Sequence, residues 1–225
     1  MIKAYVGLLG EGKTLSMVND AIPYLLDNRR IFTNTPFFTK KTSYNSFFNA
    51  WFERKPINEE LRPFFLSNTQ EFLDAFLEED DALFCIDEAG LIFNNRAWKT
   101  LDPTYLIKFA QSRKHGLDIF YTTQHFQNVE KRLRDITNIV VECQYRHMLN
   151  FPLFPKKIYN FYFNPIAFYF PIPTWDLKEK YLIMEKSIGG LKLKKLFRSF
   201  DTMYKIKTKE QIIPEKFSPQ KYERL

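Results

Sequence analysis

Residues Gly7-Leu8-Leu9-Gly10-Glu11-Gly12-Lys13-Thr14 combine three glycines, a lysine and a hydroxyl within eight positions. This is the spacing G-x-x-x-x-G-K-[ST]. Glycines let a loop curl so that its backbone N–H groups converge on phosphate oxygens. Lys13 can then reach the β- and γ-phosphates of a nucleotide, and the Thr14 hydroxyl can serve a Mg²⁺ ion. The chemistry needs a strand before the loop and a helix after it, whose first N–H groups and dipole favour an anion. Residues 3–7 read as that strand. The helix runs from Lys13 to about Leu26, with Pro23 limiting its last turns. The expected nucleotide-binding set is Gly7, Gly10, Glu11, Gly12, Lys13, Thr14 and Leu15, with ATP and Mg²⁺ as cofactors.

A second cluster supplies what a phosphate cradle lacks. Leu83-Phe84-Cys85-Ile86 is an apolar strand ending in Asp87-Glu88. Asp87 is expected to hold Mg²⁺ with Thr14, and Glu88 to polarise an attacking water. Thr122-Thr123-Gln124 closes another strand. Ligands of an open parallel sheet sit beyond the carboxyl ends of its strands, so Gln124 either orients that water or caps the strand. Arg113 precedes Gly116 and that strand. It is either a helix-end cation favoured by the dipole or a finger offered to a phosphate.

The elements that must carry these residues alternate. Strands are expected at 31–35, 82–87, 117–123 and 138–143. Helices are expected from Asn68, with Glu71 in a capping box, to Glu78, from Asp102-Pro103 to Lys114, and over 127–133. Such alternation implies right-handed crossovers and a mostly parallel sheet flanked by helices. Residues 38–66 have weak periodicity and read as an insertion or short helices. Beyond about residue 150, proline-punctuated aromatic runs and stretches at 181–184 and 197–206 look like short strands. The expected division is an ATPase core over 1–150 and a β-rich extension over 151–225 packed on it.

Composition narrows the class. The apolar fraction is 45%, enough for a packed core, and disorder is excluded as the default. The net charge of +7 suits nucleic acid or an anionic surface, or is a solubilising excess. Cys85 and Cys143 sit in apolar runs and read as packed thiols. His115, His125 and His147 are too dispersed for a metal site. Residues 158–173 carry two asparagines and three prolines, so no spanning helix is expected. Lys192, Lys194, Lys195 and Arg198 read as a solvated strand face or a contact to DNA backbone or lipid headgroups. The aromatic stretch 159–170 reads as buried strands or an oligomer contact, against base stacking or interfacial binding.

Three segments taken together resemble a known group: Gly7 to Thr14, Ile86-Asp87-Glu88-Ala89, and Ser112-Arg113-Lys114-His115-Gly116 followed by Thr122-Thr123-Gln124. Phe200-Asp201-Thr202 is a weaker match. The chain resembles the Zot (zonular occludens toxin) family of phage assembly ATPases, within the wider HerA/FtsK class of DNA motors. The resemblance implies a P-loop NTPase with a RecA-like sheet, Gln124 as a sensor of the γ-phosphate, and Arg113 acting in trans. A trans finger implies a homo-oligomeric ring, commonly a hexamer. The implied function is an ATP-driven motor on viral DNA in genome packaging or virion assembly, gripping the phosphate backbone with sequence tolerance and meeting capsid or membrane assembly partners. A cellular HerA/FtsK-type translocase and a slowly hydrolysing scaffold are the alternatives. Filamentous-phage relatives continue into a transmembrane helix, which this sequence lacks, so a cytoplasmic motor at most peripheral to a membrane or virion is expected.

Overall fold

The computed structural model describes residues 1–43, 57–93, 103–147, 156–169 and 179–199. Its centre is an eight-stranded sheet. In chain order the strands are β1 (Ile2–Val6), β2 (Arg30–Thr33), β5 (Phe64–Phe65), β6 (Ala82–Ile86), β7 (Asp118–Thr123), β8 (Ile139–His147), β9 (Lys156–Phe163) and β10 (Leu182–Gly189). They lie in the order β10-β9-β8-β1-β7-β6-β2-β5. The five pairings from β8 to β5 are parallel; β8–β9 and β9–β10 are antiparallel. Of the central strands, β6 is apolar along its whole length, as expected where helices cover both faces. All five residues of β6 are buried.

Helix α1 (Lys13–Leu26) crosses from β1 to β2 on one face, burying Leu15, Met17, Val18, Ala21 and Leu25. Helix α2 (Thr69–Glu78) covers the other. Asn68 caps it by accepting from the Gln70 N–H at 2.9 Å. Helix α3 (Ala89–Ile92) is one turn after β6, and α4 (Pro103–Ala110) follows; Asp102, expected as its cap, lies outside the described residues. Phe72, Phe76 and Phe109 pack under Phe84 with ring centroids 4.4–5.7 Å apart in successive contacts. The two cysteines are free and buried, as their apolar runs imply.

Four local expectations are corrected. The described parts of 38–66 hold no helix: β3 (Thr39–Ser43) and β4 (Ile57–Leu61) form a separate antiparallel pair, and β5 joins the main sheet. The register sets Lys40 opposite Glu60 and Lys41 opposite Glu59, a polar pairing without the alternation that marks strands. The helix expected over 127–133 is a 3-10 turn (Phe126–Asn128) and then α5 (Lys131–Asp135), because the Glu130 carboxylate caps a new start by accepting from the Arg132 and Leu133 N–H groups. The helix after Pro103 ends at Ala110 and continues as turns to Gly116. After a short helix α6 (Ile166–Tyr169) and β10, residues 190–199 form helix α7 (Gly190–Ser199) where a strand was expected from 197. Leu193 and Leu196, three apart, are buried in one cluster with Leu15 and Met17 of α1, which selects the helical period. Lys192, Lys194, Lys195 and Arg198 therefore belong to a helix, and Lys192 is exposed.

The strand order fixes where a ligand can sit. From β1 the chain crosses to β2 on one side, and β8, which follows β7, pairs with β1 on the other. A crevice at the carboxyl end of β1 follows from that reversal.

Candidate functional site

The loop between β1 and α1 is built on glycine for steric reasons. A Cβ on Gly7 would lie 2.7 Å from the Cys143 carbonyl oxygen, and Gly10 and Gly12 have φ of +80° and +84°. The loop closes on itself: the Leu8 N–H donates to Glu11 Oε2 at 2.8 Å, and Lys13 Nζ donates to the Leu8 carbonyl at 3.0 Å. Lys13 is only 6% exposed, which holds its ammonium inside the loop. The first helical bond runs from the Ser16 N–H to the Gly12 carbonyl at 2.9 Å. The N–H groups of Lys13, Thr14 and Leu15 are therefore without intrahelical acceptors, as at any helix start. The Leu15 side chain packs into the core, so its contribution to a phosphate is its backbone.

Asp87, one residue past β6, is where the strands converge. Its Oδ1 accepts from Thr14 Oγ1 at 2.8 Å and from Thr122 Oγ1 at 2.7 Å. Its Oδ2 accepts from Thr35 Oγ1 at 3.3 Å. Asn34 grips its backbone twice, accepting from the Asp87 N–H at 2.7 Å and donating to the carbonyl at 2.9 Å. Thr14 and Asp87 thus lie together across 73 positions of sequence. Both offer oxygen, the donor type that a hard divalent cation takes, and the pair fits Mg²⁺.

Glu88 is held in the left-handed region at φ 50°, and its N–H donates to Thr122 Oγ1 at 2.9 Å. Burial raises its carboxyl above the usual range, and the Asp87 charge raises it further; Lys13 opposes both. A carboxylate so raised is a better proton acceptor than a solvated one.

Gln124 follows β7 and is exposed. It lines a cleft of about 610 Å³ with Gly7, Leu8, Glu11, Glu142 and Arg146. The cleft opens beside the loop, not over Asp87 and Glu88. Arg113 is in the turn before β7, at the amino end of that strand, so the six residues of β7 separate it from Gln124, roughly 20 Å of strand. One chain therefore brings together Gly7 to Leu15, Asp87, Glu88 and Gln124 at one end of the sheet and leaves Arg113 at the other. Asn34 and Thr35 were not anticipated. Their only sequence signal is a polar Thr-Asn-Thr closing a strand beside the acidic one.

A phosphate-shaped loop at the switch point of a parallel sheet, facing an acid pair just past β6, is the P-loop NTPase architecture. The zonular occludens toxin (Zot) family model matches residues 1–153, and the chain belongs to that family. Among solved structures, the chain is similar to the N-terminal domain of zonular occludens toxin from Neisseria meningitidis at 17% identity and a TM-score of 0.49, over 89% of this chain and 98% of that one. It is also similar to the genome packaging NTPase of Sulfolobus turreted icosahedral virus 2, in complex with ATP-γS, at 11% identity and a TM-score of 0.48, over 74% and 93%. A search of curated proteins finds no match. Among the described residues, no helix is long and apolar enough to cross a membrane.

Proposed function

We propose that this chain is an Mg²⁺-dependent ATPase that drives viral DNA in genome packaging or virion assembly, working as a homo-oligomeric ring. The observation that carries the ATPase reading is the convergence of Thr14, Thr35 and Thr122 on the Asp87 carboxylate, with Glu88 beside it. The backbone of Gly7 to Leu15 holds the phosphates and Lys13 supplies the charge. Thr14 and Asp87 hold the metal, which when bound neutralises charge on the phosphates. Glu88 takes the proton of the attacking water, and Gln124 orients that water from the end of β7. Arg113 serves the ATP of the neighbouring subunit. The family's likeness to phage assembly ATPases supports the viral setting, and the +7 charge supports a grip on DNA phosphates. In this reading residues 151–225 extend the core of residues 1–150.

The test is hydrolysis by the full chain, with and without single- and double-stranded DNA. Lys13→Ala is expected to lose nucleotide binding. Glu88→Gln is expected to keep binding and to lose about 10²-fold or more in turnover. Unchanged turnover in Glu88→Gln would remove the base. No retention of either DNA at low salt with an ATP analogue present would remove direct DNA contact and favour a scaffold.

A further inference from the structure

We propose that β9 is a working part of the nucleotide site, with Ile158, Asn160 and Tyr162 acting as positioning residues for the P-loop helix. The proposal rests on reading Gly7 to Thr14 as the nucleotide loop. The three residues occupy alternate positions of β9 and so share one face. That face meets Gly12, the residue that caps α1, and residues 16 and 20 of the helix, a spacing of four that keeps them on one side. At the first rung Ile158 fills the space beside Gly12: a Cβ there would lie 2.6 Å from Ile158 Cδ1. At the second, Ser16 Oγ donates to Asn160 Oδ1 at 2.9 Å, both residues being buried to within 1%. At the third, Tyr162 Oη donates to Asp20 Oδ2 at 3.2 Å, an oxygen that also accepts from Tyr5 Oη at 2.9 Å and Lys3 Nζ at 3.3 Å.

The rungs match because the repeats match. Two residues of strand advance about 6.6 Å and four residues of helix about 6 Å. Strand and helix therefore stay in step across all three contacts. Apolar packing alone tolerates a slide or a small rotation of α1, whereas a buried directional hydrogen bond does not. The same slide or rotation would move Lys13 and Thr14, which lie between the first two rungs. Misplacement of a reacting group by about 1 Å can cost on the order of 10²-fold in rate. Helix α7 packs there as well, since Leu193 and Leu196 join the same cluster as Leu15, Met17, Ile158 and Tyr162. All of these contacts come from residues past 153, where the Zot match ends.

The experiment measures the affinity of the full chain for mant-ATP with Mg²⁺, beside its melting midpoint, at a temperature well below the lowest midpoint. The proteins are wild type, Asn160→Leu, the double variant Ser16→Ala with Asn160→Leu, and Tyr162→Phe. Asn160→Leu strands the Ser16 hydroxyl and is expected to lose both midpoint and about tenfold in affinity. The double variant leaves neither partner unsatisfied, so its midpoint is expected to recover while affinity stays down. Tyr162→Phe is expected to lose about threefold in affinity with its melting midpoint nearly unchanged. Affinity that recovers together with the midpoint in the double variant would reduce the rungs to packing and overturn the proposal. So would wild-type affinity in Tyr162→Phe. If Asn160→Leu does not fold, the double variant and Tyr162→Phe still separate positioning from packing. A wild-type chain that binds no mant-ATP would sink the nucleotide reading as well, whereas a binding wild type with equally binding variants sinks only this one.

Discussion

The two ends of β7 are both crowded with charge, and they handle it in opposite ways. At the amino end nearly every cation meets a carboxylate. Arg29 Nη1 lies 2.5 Å from Asp118, which also pairs with the chain's amino terminus. Lys108 Nζ and His115 Nδ1 each lie 2.7 Å from Asp80, and Arg30 pairs with Glu79. At the carboxyl end, the Lys13 ammonium rests on a carbonyl and the Asp87 and Glu88 carboxylates stand next to each other. Like charges held side by side in a half-buried place cost stability. One end is arranged for stability and the other for chemistry. Arg113, with its neighbour Lys114, is the exception: an exposed guanidinium at the settled end, with no carboxylate partner among the described residues.

That exception gives the largest effect by which the comparison can be broken. If Arg113 serves a neighbour's nucleotide, Arg113→Ala should lose about 10³-fold in turnover while nucleotide affinity holds. Mixing it with Lys13→Ala should restore part of the activity, because some interfaces then join an intact loop to an intact Arg113. Specific activity of the wild type should also rise with protein concentration. Full activity of Arg113→Ala, or a dead mixture in which mixed oligomers demonstrably form, would return Arg113 to the settled end as a solvated turn cation.

A second variant sharpens the carboxyl end. Thr122 donates to Asp87 and accepts from the Glu88 N–H, so one hydroxyl orients both acids. Thr122→Val keeps the shape and removes both bonds. Loss of an outer hydrogen bond to a metal-holding carboxylate typically costs 10–100-fold, so turnover is expected to fall by about tenfold or more. Raising Mg²⁺ should recover part of it. Kinetics at several Mg²⁺ concentrations check this, and a loss that no Mg²⁺ concentration relieves would place the defect at Glu88 instead.

The sequence made the loop legible because its chemistry is consecutive, and α1 could be read to its last residue. What surrounds the loop was hidden in proportion to sequence distance. Asn34 and Thr35 reach Asp87 from a neighbouring strand end, and lone polar residues at strand ends carry no spacing signal. Ser16 and Asn160 are 144 positions apart, and neither belongs to a motif. Leu191, Leu193 and Leu196 fit a strand or a helix equally until α1 is there to be covered. The β3–β4 pair was invisible for another reason: apart from Ile57 and Leu61 its residues are polar, so period two has little to mark.

The settled end makes the converse prediction. Asp118→Asn removes the charge that Arg29 and the amino terminus share, leaving a guanidinium that is only 24% exposed. Partly exposed pairs fall between the surface and buried extremes, so the cost is about 1–2 kcal/mol. A domain of this size loses about 2–4 °C in melting midpoint for each kcal/mol. Turnover measured below the midpoint should be unchanged. A fall in kcat at full folding would show that the two ends of β7 are coupled and that the division between them is wrong.

The smallest effect is a gain, and it tests whether the carboxyl end costs stability. Burial first, and the Asp87 charge second, raise the Glu88 carboxyl in the folded state above its unfolded value. The folded protein then binds that proton more tightly than the unfolded chain does. Glu88 contributes fully below the unfolded pKa, and its contribution is lost as pH rises through the folded one. Around neutral pH and above, the ionised group is a burden that a glutamine does not carry. Glu88→Gln should therefore melt higher than wild type at about pH 8, by on the order of 1–3 °C, and the gap should narrow toward about pH 4. Thermal scans of both proteins across that range measure it. The wild-type rate should lose its base in step, with an acid limb lying above the ordinary carboxylate range. A gap that stays flat with pH would mean that Glu88 titrates like a solvated acid. The turnover loss in Glu88→Gln would then have to come from geometry, and the carboxyl end would no longer be the one that costs stability.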